Sequence, residues 1–209
     1  IFSGEIAMLA GIGLKNKKEY CKKHGYDLLV FDTNMFGPAA PWNKLYYTHK
    51  YLKFYDWVFF VDTDTIITDL NKPLESFLDN ENSLIFSNDG TTELSGGAFF
   101  VKNDEFGEKF IKDTLKHHKK YQSFPFDQAG LTESWKENPE IQKKIKILPQ
   151  NAFNAYYKLT NEETLRSFPN WNNGQFKLWQ EGDFLVHFTG YNYRERLDLM
   201  MKFDKEIKR

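Results

Sequence analysis

Apolar and polar positions fall into blocks that switch between helical and strand periods along the chain. Residues 6–23 carry apolar side chains at helical spacing and stop at Gly25, a C-cap signal, after which 26–31 reads as a strand. A Gly/Pro loop at 37–41 precedes a helix over 42–54, and 57–61 is a run, WVFFV, without a polar group. Such a run predicts a central strand covered on both faces. Farther on, 71–78 predicts a short helix with Pro73 in its first turn. Strands follow at 83–87 and 98–101 around a bend at Gly96 and Gly97, and Asp104 has the side chain to open a helix reaching about 120. Residues 127–137 predict another helix, 144–148 and 184–188 are strands, and a last helix starts near Asn192. Residues 161–181 show no regular period. Strands alternating with helices predict an α/β fold with a mainly parallel sheet and helical crossovers.

Composition narrows this picture. The 209 residues suit one domain, and 41% apolar residues suffice for a sizeable core. A net charge of -1 gives no electrostatic footprint for nucleic acid, so any phosphate binding has to be local. The single Cys21 rules out an internal disulfide framework and fits a reducing compartment. No apolar run approaches a membrane span, and no basic-then-apolar leader opens the chain. These residues alone lead to the expectation of a cytoplasmic protein. The start at Ile1 leaves open that an anchor or further domains belong to a longer parent. Aromatic residues make up 17% and crowd 42–60, 121–126, 153–157 and 168–193. They are core packing first, but they also suit a site that stacks flat ligands such as sugars or nucleobases.

The apolar run ends in Asp62 and Asp64, separated by Thr63. A D-x-D pair that continued a strand would point both acids the same way, and just past its end they lie where open α/β sheets bind ligands. Asp and Thr also build turns by bonding to nearby backbone. Acids at the exit of a buried strand nevertheless need a partner, because an uncompensated buried carboxylate is costly. A hard divalent cation or a nearby base is expected.

In order and spacing, Lys44, DWVFFVDTDTIITD, LSGGAFFVKN, FPFDQAG, KILPQNAFN and FLVHFTG resemble the GT-A-fold glycosyltransferases. The resemblance is strongest to the galactosyl/xylosyl/mannosyltransferase family 34, more distant to the glycogenin-like family 8, and spans about residues 3–195. It implies one Rossmann-like GT-A domain over 1–209, with a nucleotide-binding half to about 90 and a sugar- and acceptor-binding half from 91. The implied activity is transfer of a hexose-type sugar from a UDP-sugar to a glycan acceptor, with retention of configuration. Asp62 and Asp64 match the acids that hold Mn²⁺ or Mg²⁺ against the donor's diphosphate, with Thr63 between them. His187 matches the third ligand, although a strand histidine is otherwise a hydrogen-bonded core residue. Hard oxygens suit both ions, and an imidazole favours Mn²⁺.

The same resemblance places other residues around the donor. Lys44 matches a basic residue near the phosphates, or is a solvated helix lysine. Where the glycogenin-like pattern puts a lysine after the late Gly190, this chain runs GYNYRERL, so Arg194 or Arg196 stands in as phosphate clamp. Ser95, Gly96 and Gly97 match a small-residue bend that lets the sugar approach backbone. Asp127 and Gln128 match an acid-amide pair beside the donor sugar and are the catalytic candidates, Asp127 being equally a helix N-cap. Asp32, ending the 26–31 strand, is a candidate contact for base or ribose.

Other readings compete for these residues. A haloacid-dehalogenase-type phosphatase also places D-x-D after an apolar strand, with Asp62 as nucleophile, but its pattern wants Thr or Val where this chain has Ile66. An EF-hand loop fails because Ile67 stands where glycine is needed and Pro73 where the closing Glu belongs. A module that binds nucleotide sugar or glycan without turnover is the third alternative.

Overall fold

The computed structural model describes residues 7–89, 92–157 and 178–207. Helix α1 (Ala7–His24) ends on Lys22, Lys23 and His24, whose positive charge suits a helix C-terminus, and Gly25 follows at φ +76°. A 3-10 turn over Gly37–Trp42 leads into α2 (Asn43–Leu52), followed by β1 (Trp57–Val61), β2 (Thr65–Ile67), β3 (Leu84–Ser87) and β4 (Ala98–Lys102). The Asp104 side chain accepts from the amides of Phe106 and Gly107 and starts α3 (Glu105–Lys116). Then come α4 (Asp127–Glu137), the short α5 (Pro139–Gln142), β5 (Ile145–Leu148), β6 (Ala155–Tyr156), β7 (Leu185–His187) and α6 (Tyr193–Glu206). None of the described helices is long and apolar enough to cross a membrane.

The α/β class holds, but the strands form two sheets, ordered β1-β4-β3-β5 and β2-β7-β6, and their pairing is mixed rather than mainly parallel. β4 runs antiparallel to both β1 and β3, and β2 antiparallel to β7, whereas β3/β5 and β6/β7 are parallel. The parallel partner of β3 arrives only after α3, α4 and α5 have carried the chain back, as a parallel crossover demands.

Two further expectations fail for one reason. β1 is an edge strand, half-buried along its length, and β3 and β4 hold the buried centre. Residues 26–31 enter no ladder, and Leu29 and Val30 are 40% and 45% exposed. A strand exists through its neighbour's backbone, and here a cleft separates β1 from 26–31, both of which line it. The helix expected over 71–78 is a 3-10 turn at Leu74–Phe77, and most of the irregular 161–181 stretch lies outside the described residues.

Alternation along β3 and β4 divides the core. Phe86 and Phe99 pack with Leu45, Phe110 and Leu131 beneath α2, α3 and α4. Ile85 and Phe100 face the other way, onto Phe77, Phe153 and Phe184, which join the first sheet to the second. Each fully buried phenylalanine contributes about 1.5–3 kcal/mol.

Candidate active site

The D-T-D turn lies where one sheet ends and the other begins. Asp62 leaves β1 with its amide donating to the Gly97 carbonyl at 2.8 Å, and its own carbonyl accepts from Thr65 Oγ1 at 2.8 Å. β2 starts at Thr65 and pairs antiparallel with β7, Thr65 opposite His187, while Phe188 N–H donates to the Asp64 carbonyl at 3.0 Å. This register carries His187 to Asp64 across more than a hundred residues of sequence. One oxygen of each acid and a ring nitrogen of His187 lie within 4.8 Å of one another.

His187 is 6% exposed and held from behind. Its Nδ1 donates to Asn154 Oδ1 at 2.7 Å, Asn154 Nδ2 donates to Ser95 Oγ at 2.7 Å, and Ser95 Oγ accepts from Gly97 N–H at 3.2 Å. With Nδ1 engaged on Asn154, Nε2 is the ring nitrogen turned toward Asp64 Oδ1, 3.3 Å away. Either a proton on Nε2 or a cation between the two atoms satisfies this contact. Gly97 is required at this point, since a Cβ there would lie 2.7 Å from His187 Cε1. On its other oxygen Asp64 receives Arg196 at 3.0 Å. Burial would raise the Asp64 carboxyl's pKa, but the His187 and Arg196 contacts prevail and hold it well below the usual carboxylate range.

A second knot forms around Lys44, whose ammonium donates to the Gly96 carbonyl at 2.8 Å and lies 3.2 Å from both Asp62 Oδ1 and Asp127 Oδ2. It is therefore no solvated helix lysine. Burial would lower its pKa, but Asp127 and Asp62 outweigh this and keep it charged. Asp127, 4% exposed, is pushed up to about 6 by burial, against the pull of Lys44 and with the repulsion of Asp62 added. It opens α4 without capping it by a side-chain bond, since the N-cap position is Phe126. Gln128 Oε1 accepts from Gly96 N–H at 3.3 Å, and its Nε2 donates to Thr92 Oγ1 at 3.0 Å and to Asp89.

The structure thus brings Lys44, Asp62, Asp64, Ser95, Gly96, Gly97, Asp127, Gln128 and His187 into one cluster, with Thr63 at the tip of the turn. Gly190, φ +80°, turns the chain from β7 toward α6. Arg194 is exposed, and it is Arg196 that reaches Asp64. Asp32 is exposed, touches Thr33 Oγ1 at 3.4 Å and does not line the cleft. Asn154 escaped the sequence reading although it lies in the NAFN string, because nothing local distinguishes an amide that orients a distant imidazole. From the acids the cleft runs along β1 between α1 and α2, with a volume of about 810 Å³ and with Lys17, Lys44 and Arg196 on its wall.

Two sheets flanked by helices, with paired acids at the exit of an apolar strand and a late histidine folded back onto them, give the chain a fold of the GT-A type. The chain belongs to the galactosyl transferase GMA12/MNN10 family, whose pattern matches residues 5–84 and 72–198. It is 25% identical to an uncharacterized alpha-1,2-galactosyltransferase of Schizosaccharomyces pombe, over 91% of this chain and 66% of the relative. A protein of Saccharomyces cerevisiae named "Probable alpha-1,6-mannosyltransferase MNN10" is 24% identical over 88% of this chain and 56% of its own length. The chain thus spans 66% and 56% of these two relatives. Its fold is shared with a crystal structure of a glycosyltransferase involved in glycosylation of the major capsid of PBCV-1, with TM-score 0.70 and 17% identity over 97% of this chain and 96% of that one.

Proposed function

We propose that this chain transfers a hexose from a UDP-sugar to a glycan acceptor with the help of a divalent cation, Mn²⁺ or Mg²⁺, held by Asp62, Asp64 and His187. The observation that carries the reading is the convergence of Asp62, Asp64 and His187, one possible ligand atom from each lying within 4.8 Å of the others. The donor set fits such an ion. Six-coordinate bonds of about 2.1 Å put neighbouring ligand atoms about 3 Å apart and opposite ones about 4.2 Å apart, which the 4.8 Å cluster reaches with small side-chain shifts. When bound, the ion supplies Lewis-acid neutralisation of the charge that grows on the departing diphosphate. Galactose and mannose in the names of the relatives support a hexose donor, and UDP follows from the family resemblance.

The chain's own residues do the rest. Arg196, with one guanidinium arm on Asp64 and the other donating to the Tyr191 carbonyl at 2.9 Å, is the candidate to meet the diphosphate, for which it would exchange one of these contacts. Lys44 spends its protons on Asp62, Asp127 and Gly96, so its work is to fix these groups. Asp127 and Gln128 flank Gly96, where the sugar would lie. In the reaction the bond from the anomeric carbon to the diphosphate breaks, a bond to the acceptor oxygen forms, and the acceptor's proton leaves to a phosphate oxygen or to a carboxylate. Retention requires the incoming oxygen to end on the departing side, and Asp127 and Gln128 are the groups by which double displacement and front-face transfer are distinguished.

Hydrolysis and transfer of UDP-hexoses by the purified protein, with and without Mn²⁺, test the proposal. Asp62→Ala, Asp64→Ala and His187→Ala should each abolish Mn²⁺-dependent UDP binding and transfer while far-UV dichroism stays unchanged. Full Mn²⁺-dependent transfer by any of the three refutes the ligand assignment. Nucleotide binding without any turnover would favour the binding-module reading.

A further inference from the structure

One face of α1 bears on the D-T-D turn through residues spaced i, i+3 and i+4, which helical geometry places side by side: Gly13, Asn16 and Lys17. At Gly13 the helix approaches the turn so closely that a Cβ would lie 2.3 Å from the Thr63 carbonyl oxygen. Asn16, 1% exposed, makes a two-point bond to Ile67, donating from Nδ2 to its carbonyl at 3.0 Å and accepting from its amide at 2.8 Å. Lys17, 7% exposed, donates to the Thr65 carbonyl at 2.9 Å and to the Gly13 carbonyl at 3.5 Å. Among the described residues β2 pairs only with β7, so its outer edge has no neighbouring strand. Asn16 and Lys17 satisfy the backbone groups that such a strand would take. The arrangement is costly, since burial pulls the Lys17 ammonium down to about 8 against the attraction of Asp64 and Asp62.

We propose that this face of α1 is a template that presets the D-T-D turn, so that Asn16 and Lys17 are positioning residues for Asp62 and Asp64. The proposal rests on the reading of these acids and His187 as a cation site. An amide and an ammonium on a rigid helix fix the backbone on the far side of Asp64, while Gly97 fixes it at Asp62. Both carboxylates then leave a turn pinned at each end. Gly13 permits the close approach, and no other residue type fits there without pushing Thr63 away.

The test uses the 209-residue chain with Gly13→Ala, Lys17→Met and Lys17→Arg. Two readouts apply: Mn²⁺ binding followed by the spin-resonance signal of the free ion, and amide hydrogen exchange of residues 62–67 without metal. Lys17→Met and Gly13→Ala should bind Mn²⁺ on the order of 10-fold more weakly and exchange these amides on the order of 10-fold faster. Lys17→Arg, which keeps a charged donor, should recover part of both. Alanine favours a helix more than glycine does, so a loss in Gly13→Ala cannot be a loss of helix, and that variant carries the test if Lys17→Met fails to fold. Folded variants with unchanged exchange at 62–67 and unchanged Mn²⁺ affinity overturn the template. Wild-type protein that binds no Mn²⁺ instead sinks the metal reading, and the exchange data still decide whether α1 sets the turn.

Discussion

A histidine ligates metal from one ring nitrogen when a partner holds the proton on the other. For His187, the proposed ligand, that partner would be Asn154, itself fixed by Ser95. Asn154→Ala should weaken Mn²⁺ affinity by about 10–100-fold without unfolding the protein, measured by titration of the folded variant; unchanged affinity would show that packing alone orients the ring. Asp127 supplies a pH prediction. Its carboxyl has an ordinary value of 3.8 and is pushed to about 6 by burial, Lys44 opposing and Asp62 adding. Between these values the folded state holds a proton that the unfolded chain lacks, so this group's contribution favours folding as pH falls toward 4 and is lost as pH rises through about 6. The carboxylate that faces Lys44 exists above that point, and transfer that uses it should decline below it. Asp127→Asn should lose about 10²-fold in kcat/KM and lack an acid limb near 6, both read from a pH-rate profile. Asp62, Asp64 and His187 were legible in the sequence because charge at the end of an apolar strand is conspicuous and the order of motifs is informative. Asn154 and the choice of Arg196 over Arg194 were not, since each depends on a rotamer or a helix face that only tertiary packing defines.

Elements turn these residues into a site through register and caps. β2 and β7 meet with Thr65 opposite His187, so a one-residue slip would turn the imidazole to the other face of the sheet. α6 begins with a reciprocal capping box, the Asn192 side chain accepting from Glu195 N–H and the Glu195 carboxylate accepting from Asn192 N–H. Arg196 follows directly, so the cap also steadies the guanidinium on Asp64. Asn192→Ala should cost about 1 kcal/mol, or roughly 2–4 °C in melting temperature by calorimetry. A melting point equal to wild type would mean that tertiary contacts alone hold the first turn. The cap at Asp104 and the start of the last helix near Asn192 were readable, whereas Asp127 offers the same local chemistry and does not cap α4. β2 and β6 were not readable, having three and two residues, too few for an alternation to register. The 26–31 segment has strand composition but no ladder, since pairing belongs to two segments and is written in neither alone.

At the scale of the molecule, Asp62 follows β1 of the first sheet, Asp64 precedes β2 of the second, and His187 ends β7, so a cation held by all three would tie both sheets together. Lys44 adds α2, Asp127 adds α4 and Arg196 adds α6 to the same few ångströms. Ligation at the proposed site would therefore couple to global stability. A ligand at 100 times its Kd raises the unfolding free energy by about 2.7 kcal/mol, which for a chain of this size is roughly 5–10 °C. Mn²⁺ and UDP together should give a shift of that order by calorimetry, and UDP alone much less, since Arg196 would then have to hold the diphosphate without the cation. In Asp64→Asn the added shift should vanish, because the amide no longer supplies an anionic oxygen between His187 and Arg196. An equal shift in that variant would place the nucleotide elsewhere in the cleft, away from the junction of the sheets.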